Sequence, residues 1–512
     1  MITRIARRAG LHREPAAWLR DTWRMRRLVS RFDTRVPPRP DAVRIAVVVM
    51  PWSGSAVPWF SLACGLLLAA NGNPVTFVLD DLPFGEGGRA WQLQLSCIRS
   101  VLRLLRRRHE VICLSQHATT RSLPTETARH AIDRLATLNA VWAQRGESAV
   151  TPGHVQQARR HLLTSDGAIA RLLQTLRVDA LFVPGGIWGS SGLWMKHATA
   201  AGVRVATYDS GGYGTLLLAV DGVACQLHDI PRAFSMLKEH ARTPAERQLV
   251  VDTARAEMAR RRAGTDTFSS QVKQASTPDA RYAGGVLIAL NSSWDSAALG
   301  LHSVFESTQE WIVETVRHLL EHTAAPVIVR QHPVERLPIA RSSDDYRALL
   351  ARHFGAHPRL HFIAAEDPVN SYDLMEQAAA VVVYTSTIGV EAAAGGKPVV
   401  TESSSYYADL SFVNRATTRE AYLRLLSEAV AGRLEVSPAM RDDALACYYV
   451  TQCCNWVFTP FTVPAFEQWS LRDLKDMAQD QSVRAITRAL EKNIPVAFLN
   501  HLARLEVAGE RR

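Results

Sequence analysis

The apolar positions of this chain fall into short continuous runs separated by stretches of helical period, and the two kinds alternate. Val43-Arg44-Ile45-Ala46-Val47-Val48-Val49-Met50 is a β-branched run with almost no polar alternation, the pattern of a strand covered on both faces of a parallel sheet. Pro51-Trp52-Ser53-Gly54-Ser55 breaks it, and an apolar helix is predicted from about Trp59 to Ala70. Asn71-Gly72-Asn73-Pro74 stops that helix before a second strand, Val75 to Leu79, which ends in Asp80-Asp81. This is one βαβ unit. Further strands at Glu110 to Leu114, Ala180 to Val183 and Val203 to Tyr208 extend it into a doubly wound parallel sheet.

A polar interval from Arg260 to Ala283 lacks apolar periodicity and reads as an interdomain connection. The alternation then restarts, with strands at Val286 to Leu290, Pro326 to Arg330, Leu360 to Ile363, Ala380 to Tyr384 and Pro398 to Thr401. Helices are predicted between them at Glu310 to His322, Tyr346 to Phe354, Ser371 to Ala379 and from about Ile388. Two doubly wound, Rossmann-like α/β domains in series are expected to hold a ligand in a central cleft, at the carboxyl ends of strands. The expected division is a basic segment 1–40, a first α/β domain 41–260, a linker 261–284, a second α/β domain 285–440 and a helical segment 441–512 with room to cross back to the first domain.

Composition narrows the class without changing this picture. Hydrophobic residues are 47% and charged residues 21% of 512, a globular balance, and no apolar stretch approaches the roughly 18 residues of a spanning helix. The seven cysteines are an odd number without zinc-type spacing, which predicts reduced thiols in a cytoplasmic protein. The net charge of +10 is concentrated: residues 1–40 hold eleven arginines against Glu14, Asp21 and Asp33, or 11 − 3 = +8, leaving +2 for the rest. The body is therefore not read as binding nucleic acid. In the basic segment Trp18, Leu19, Trp23, Leu28, Val29 and Phe32 interleave with the arginines, a composition suited to an anionic bilayer surface. Residues 1–36 are accordingly expected to attach the protein to the inner face of the plasma membrane, and to be removable without unfolding it. The plainer alternative is a leader that docks on the body. No secretory signal is expected, since no continuous apolar core follows the charges.

Candidate chemistry gathers where strands of the second half end. Val327-Ile328-Val329-Arg330 runs into Gln331-His332-Pro333, where the proline stops the strand and leaves the imidazole at its carboxyl edge. His332 can there donate to a phosphate, with Arg330 as a second anion contact. Tyr384-Thr385-Ser386-Thr387-Ile388-Gly389-Val390-Glu391-Ala392 carries a strand directly into a hydroxyl cluster and a small-residue helix, an arrangement that favours anions. Gly389 permits close approach of a ligand or neighbouring backbone, and Glu391 is placed to accept from a ribose. The alternative is that Ser386 or Thr387 merely N-caps the helix.

These segments, with Asn370-Ser371-Tyr372-Asp373-Leu374 and Gly396-Lys397-Pro398, resemble the bacterial capsule polysaccharide biosynthesis family, which includes Kdo (3-deoxy-manno-octulosonic acid) transferases and shares motifs with bacterial polysialyltransferases. The resemblance implies the two-domain GT-B fold, contact of His332 with the donor phosphate, and support of the nucleotide by Ser386 and Thr387. Asn291-Ser292-Ser293-Trp294-Asp295 resembles the opening of the family's nucleotide domain, adding Asn291 and Asp295 to the donor site. In the first half, Thr207-Tyr208-Asp209-Ser210-Gly211-Gly212 resembles the place where family members carry a carboxylate followed by glycines, commonly a glutamate and often with an aromatic-basic continuation, whose basic part this chain lacks. Asp209 is the candidate general base or nucleophile; its alternative role is to cap a Gly-rich turn. Asp80 and Asp81 rank below it.

The expected function is a metal-independent glycosyltransferase without cofactor, moving Kdo or a related acidic sugar from a CMP-linked donor to a polysaccharide or lipid-linked glycan. Its rivals are a nucleotide-sugar epimerase or wall-polymer glycerophosphotransferase of the same fold, and a non-catalytic polysaccharide assembly or export protein.

Overall fold

The computed structural model describes residues 15–31, 36–52, 55–83, 88–118, 124, 126–210, 215–241, 243–265, 279–292, 296–338, 340–458, 476–477 and 479–510. The chain divides into two compact units, one of residues 1–139, 152–229 and 455–503, the other of residues 140–151, 230–454 and 504–512.

The first unit runs α1 (Pro15–Arg31), β1 (Ile45–Val49), α2 (Val57–Ala70), β2 (Val75–Leu79), α3 (Arg89–Leu105), β3 (Val111–Cys113), α4 (Glu126–Gln144, its last residues grouped with the other unit), α5 (Pro152–Thr175), β4 (Ala180–Pro184), α6 (Ser191–Ala200), β5 (Arg204–Ser210) and β6 (Thr215–Ala219). Its sheet has the order β3-β2-β1-β4-β5, all parallel, continued by antiparallel β6 and the short strand Val457–Phe458. Register is tight at the centre, where Ile45 stands opposite both Val75 and Ala180. β1 is buried along its whole length, which is why its sequence shows no alternation. Strand β6 and the strand Val457–Phe458 go beyond the sequence expectation: their pairing is antiparallel and carries no βαβ signature.

Helix α1 is built into this unit. Trp18, Met25, Leu28 and Val29 are buried, the last three in one core with α2 and α3, and Thr22 bonds back to the Trp18 carbonyl. At about 1.5–3 kcal/mol for each buried side chain, their loss would be comparable with a domain's whole stability of about 5–15 kcal/mol. The expectation that residues 1–36 can be deleted without unfolding is therefore corrected: the helix supplies part of the core. Residues 1–14 and 32–35, including Phe32, lie outside the described residues.

The second unit runs α7 (Ile230–His240), α8 (Pro244–Arg262), β7 (Val286–Ala289), α9 (Thr308–His322), β8 (Val327–Arg330), α10 (Tyr346–Phe354), β9 (Leu360–Ile363), α11 (Ser371–Gln377), β10 (Ala380–Val383), α12 (Ile388–Ala394), β11 (Val399–Thr401), β12 (Asn414–Arg415), α13 (Arg419–Val430) and α14 (Pro438–Tyr448). Its sheet is parallel throughout, in the order β12-β11-β10-β7-β8-β9. Numbered by place in the sheet, the two central strands β7 and β10 send their chains to opposite sides, the doubly wound Rossmann arrangement, and the first unit repeats it over its five parallel strands. Two such doubly wound sheets in one chain are what the alternation of the sequence predicts.

Residues 230–262, which sequence patterning places at the end of the first domain and the start of the linker, are grouped with the second unit. Thr243 makes a full capping box with Glu246, and Pro244 opens α8, which then continues to Arg262. The rest of the expected linker, 266–278, lies outside the described residues.

Candidate functional site

In a sheet of this order, the crossovers from the two central strands leave in opposite directions and open a crevice at their carboxyl ends. In the second unit those strands are β7 and β10. Asn291, just past β7, accepts a hydrogen bond from the amide of Thr385, just past β10, at 3.2 Å, so one side chain ties the crevice across its floor. A cavity of about 300 Å³ opens here, the lower end of the range for small-molecule sites. It brings together Asn291, Arg330, His332, Pro333, Ser386, Thr387 and Glu391, residues that the sequence scatters over a hundred positions.

His332 follows β8 and caps the 3₁₀ turn Pro333–Arg336. Its Nδ1 accepts from the Val334 amide at 3.2 Å. Burial, with the charges of Arg330 and Arg261, holds the imidazole pKa down at about 4. The ring is therefore neutral near pH 7, with its proton on Nε2 as a hydrogen-bond donor.

Arg330 lines the same cavity but is 2% exposed, and its guanidinium is committed to the protein. Nε donates to Ser371 Oγ at 3.2 Å, Nη2 to the Val369 carbonyl at 3.1 Å, and Nη1 to the Ala364 carbonyl. Burial lowers its pKa to about 10, against the pull of Asp367 and Glu366. Arg330 thus ties the β9–α11 connection to β8 and adds positive potential, with three of its nitrogens already engaged.

The sequence reading missed Arg261 and Arg262, which it put into the polar connection. Both stand at the C-terminus of α8 and line the cavity. The capping box at Thr243 was the available signal, since it starts a helix whose length carries these arginines there. Arg261 Nη1 donates to Gln452 Oε1 at 3.0 Å. Burial opposes its charge, but Glu391, Tyr448 and Tyr372 outweigh that and hold the guanidinium above its ordinary pKa. Arg262 lies over the Tyr372 ring at 5.4 Å and pairs with Glu376 at 2.8 Å.

Glu391 is 3% exposed and accepts from the Tyr372 hydroxyl at 3.4 Å. Burial raises its pKa, and Arg261 and Arg262 pull it back. The two arginines favour its charged form, which makes it a counter-charge for them as well as a candidate ribose acceptor. The three arginines and one glutamate give the lining 3 − 1 = +2.

Thr387 occupies the N-cap of α12 without a side-chain capping bond, so capping does not account for the hydroxyl cluster. The Ser386 carbonyl accepts from Tyr407 at 2.8 Å, which fixes the turn. Gly389 faces inward: a Cβ there would stand 3.0 Å from Val383 and 3.4 Å from Val399, so the glycine serves helix-to-sheet packing and not ligand approach. Asp295 lies outside the described residues.

In the first unit, Asp209 is the penultimate residue of β5, half-buried and in register with Leu217 of β6. Gly211 and Gly212 lie outside the described residues. Asp80 is engaged by the Ser190 hydroxyl at 2.5 Å and the Trp194 indole at 3.0 Å, a structural use of that carboxylate.

Residues 230–451 match the family described as capsule polysaccharide biosynthesis protein, a span that coincides almost end to end with the main segment of the second unit. No curated protein matches the chain. Among solved structures, the β-Kdo 2,4 transferase of Thermosulfurimonas dismutans KpsC is 17% identical, with 52% of this chain and 79% of that chain covered and a TM-score of 0.35. The β-Kdo 2,7 transferase of the same protein is also 17% identical, covering 60% and 89% at a TM-score of 0.33. Acinetobacter baumannii MurG is 12% identical, covering 85% and 100% at a TM-score of 0.27.

Proposed function

We propose, for a chain whose residues 230–451 match the capsule polysaccharide biosynthesis family, that the protein is a cytoplasmic GT-B glycosyltransferase taking an acidic sugar such as Kdo from a CMP-linked donor to a surface polysaccharide or lipid-linked glycan. The observation that carries this reading is the cationic crevice at the β7–β10 switch point, with the neutral His332 donor and Arg261 on one cavity.

In this reading the donor phosphate lies against His332 Nε2–H and the Arg261 guanidinium. Negative charge grows on that phosphate as the glycosidic C–O bond breaks, and fixed donors in a recessed site stabilise it without reorganising. Ser386, Thr387 and Asn291 hold the nucleoside side, with Glu391 on the ribose. Asp209 is the proposed base: its carboxylate takes the proton of the acceptor hydroxyl as that oxygen bonds the anomeric carbon and the nucleotide leaves with the electrons of the broken C–O bond.

A thermal-shift screen with CMP, CDP, UDP and GDP, followed by a transfer assay with the stabilising nucleotide's sugar, tests the reading. A cytidine nucleotide at 100 times its dissociation constant should stabilise the fold by about 2.7 kcal/mol. Binding without turnover would favour the non-catalytic assembly protein, and epimerised donor without transfer would favour the epimerase.

A further inference from the structure

Leu19, Trp23, Val36 and Val507 are the exposed large hydrophobic side chains among the described residues. Leu19 and Trp23 stand one turn apart on α1, 58% and 57% exposed, while Trp18, Met25, Leu28 and Val29 on the same helix are buried. The helix therefore has an apolar face that the fold uses and a second one that it leaves in water.

The polar positions around the second face share one sign. Helix α1 holds Arg20, Arg24, Arg26, Arg27 and Arg31 against Asp21 alone, or 5 − 1 = +4. Arg20 and Arg26 are exposed, and the Arg27 guanidinium lies over the Trp23 ring at 5.4 Å. Helix α3 packs beside α1, and residues 89–108 carry six arginines and no acid. Arg99 pairs with Asp81, whereas Arg103 and Arg106 bond to the Arg99 carbonyl and to Cys113 Sγ, neutral acceptors that leave their charge in place. Arg108 donates to the Val29 carbonyl and joins the basic end of α3 to α1.

A protein interface can also use tryptophan and arginine. Eleven arginines against one aspartate over residues 15–31 and 89–108, two packed helices and the turn after the second, call for a strongly anionic partner. A tryptophan–leucine pair flanked by arginines suits the boundary between lipid phosphates and acyl chains. We propose that α1 docks on an anionic lipid surface, with Leu19 and Trp23 entering the headgroup boundary and the arginines of α1 and α3 meeting lipid phosphates. The inference stands apart from the catalytic reading, since it uses neither the crevice nor Asp209.

Co-sedimentation of the full chain with phosphatidylcholine vesicles, with and without phosphatidylglycerol, tests it. The point variants lie on exposed positions and spare the buried face, and melting temperature checks that they fold. Binding is expected only with phosphatidylglycerol and weakens with salt. Leu19→Ser with Trp23→Ser should weaken it at least about tenfold, and Arg20→Gln and Arg26→Gln about fivefold each. Absence of binding to the anionic vesicles, or equal binding by the folded Leu19→Ser/Trp23→Ser variant, overturns the proposal. A change in the variant's oligomeric mass with unchanged vesicle binding would reassign the face to a protein contact and overturn it as well.

Discussion

The Val334 amide donates to His332 Nδ1 at 3.2 Å, and this single bond decides which nitrogen of the ring carries the proton and acts as the donor. A ring protonated on Nδ1 could not accept it. The backbone turn that Pro333 imposes therefore sets the tautomer, and burial beside Arg330 and Arg261 keeps the ring from gaining a second proton. A donor of fixed polarity results at the place where the proposed reaction develops negative charge.

The first prediction follows from that depressed pKa. With His332 at about 4 in the folded chain and about 6.5 unfolded, the unfolded state binds the extra proton between those values. Above pH 6.5 the ring makes no difference to stability; as pH falls from about 6.5 to 4 it costs the fold progressively, by up to about 3 kcal/mol. His332→Gln should flatten that part of the stability curve, measured by urea unfolding at a series of pH values. An unchanged slope would mean that His332 titrates normally.

Arg261 and Glu391 should behave as a unit. Arg261→Gln removes the larger of the two opposing charges that offset the burial of Glu391, leaving Arg262, and should destabilise the fold by about 1–3 kcal/mol. Adding Glu391→Gln should restore much of that stability while nucleotide affinity stays low, because the anion contact is still missing. Calorimetry and thermal unfolding of the double variant separate the two effects; restored affinity would remove Arg261 from the phosphate site.

For Arg330 the expected pattern is the reverse. Lysine cannot reach Ser371, Ala364 and Val369 together, so Arg330→Lys should cost about 1–3 kcal/mol for each carbonyl left without a donor. Nucleotide affinity of the folded protein should change little. A large affinity loss at unchanged melting temperature would return Arg330 to the role of direct anion ligand.

Asp209→Asn tests the proposed base. It should leave nucleotide binding intact and lower transfer by about 10²–10⁴-fold, the usual contribution of a general base. Full activity would leave Asp209 as a strand residue of the β5–β6 hairpin.

What the sequence made legible follows from what each signal encodes. Continuous β-branched runs such as Ile45–Val49 and Ala380–Val383 report burial on both faces, so the parallel strands and their alternation with helices were readable. Residues that follow such strands are readable for the same reason, which singles out His332 and Ser386, whereas Asn291 enters through the family resemblance. Arg261 was not, because it reaches the cavity from a helix whose local pattern is polar and whose placement depends on packing against α14. Arg330 and Gly389 were found, but their contacts were not: a strand-end arginine looks the same whether its donors meet a phosphate or the carbonyls of Ala364 and Val369. A glycine likewise looks the same whether it faces a ligand or Val383.

The central claim, that the crevice of the second unit holds a nucleotide phosphate on His332, is tested most directly by calorimetric titration of CMP into the wild-type protein and His332→Ala. The account predicts one site per chain in the wild type and an affinity lower by about 1.5–3 kcal/mol in the variant, the range for a hydrogen bond to a charged group. Equal affinities in the two proteins, or no CMP binding by a folded wild type, would contradict it.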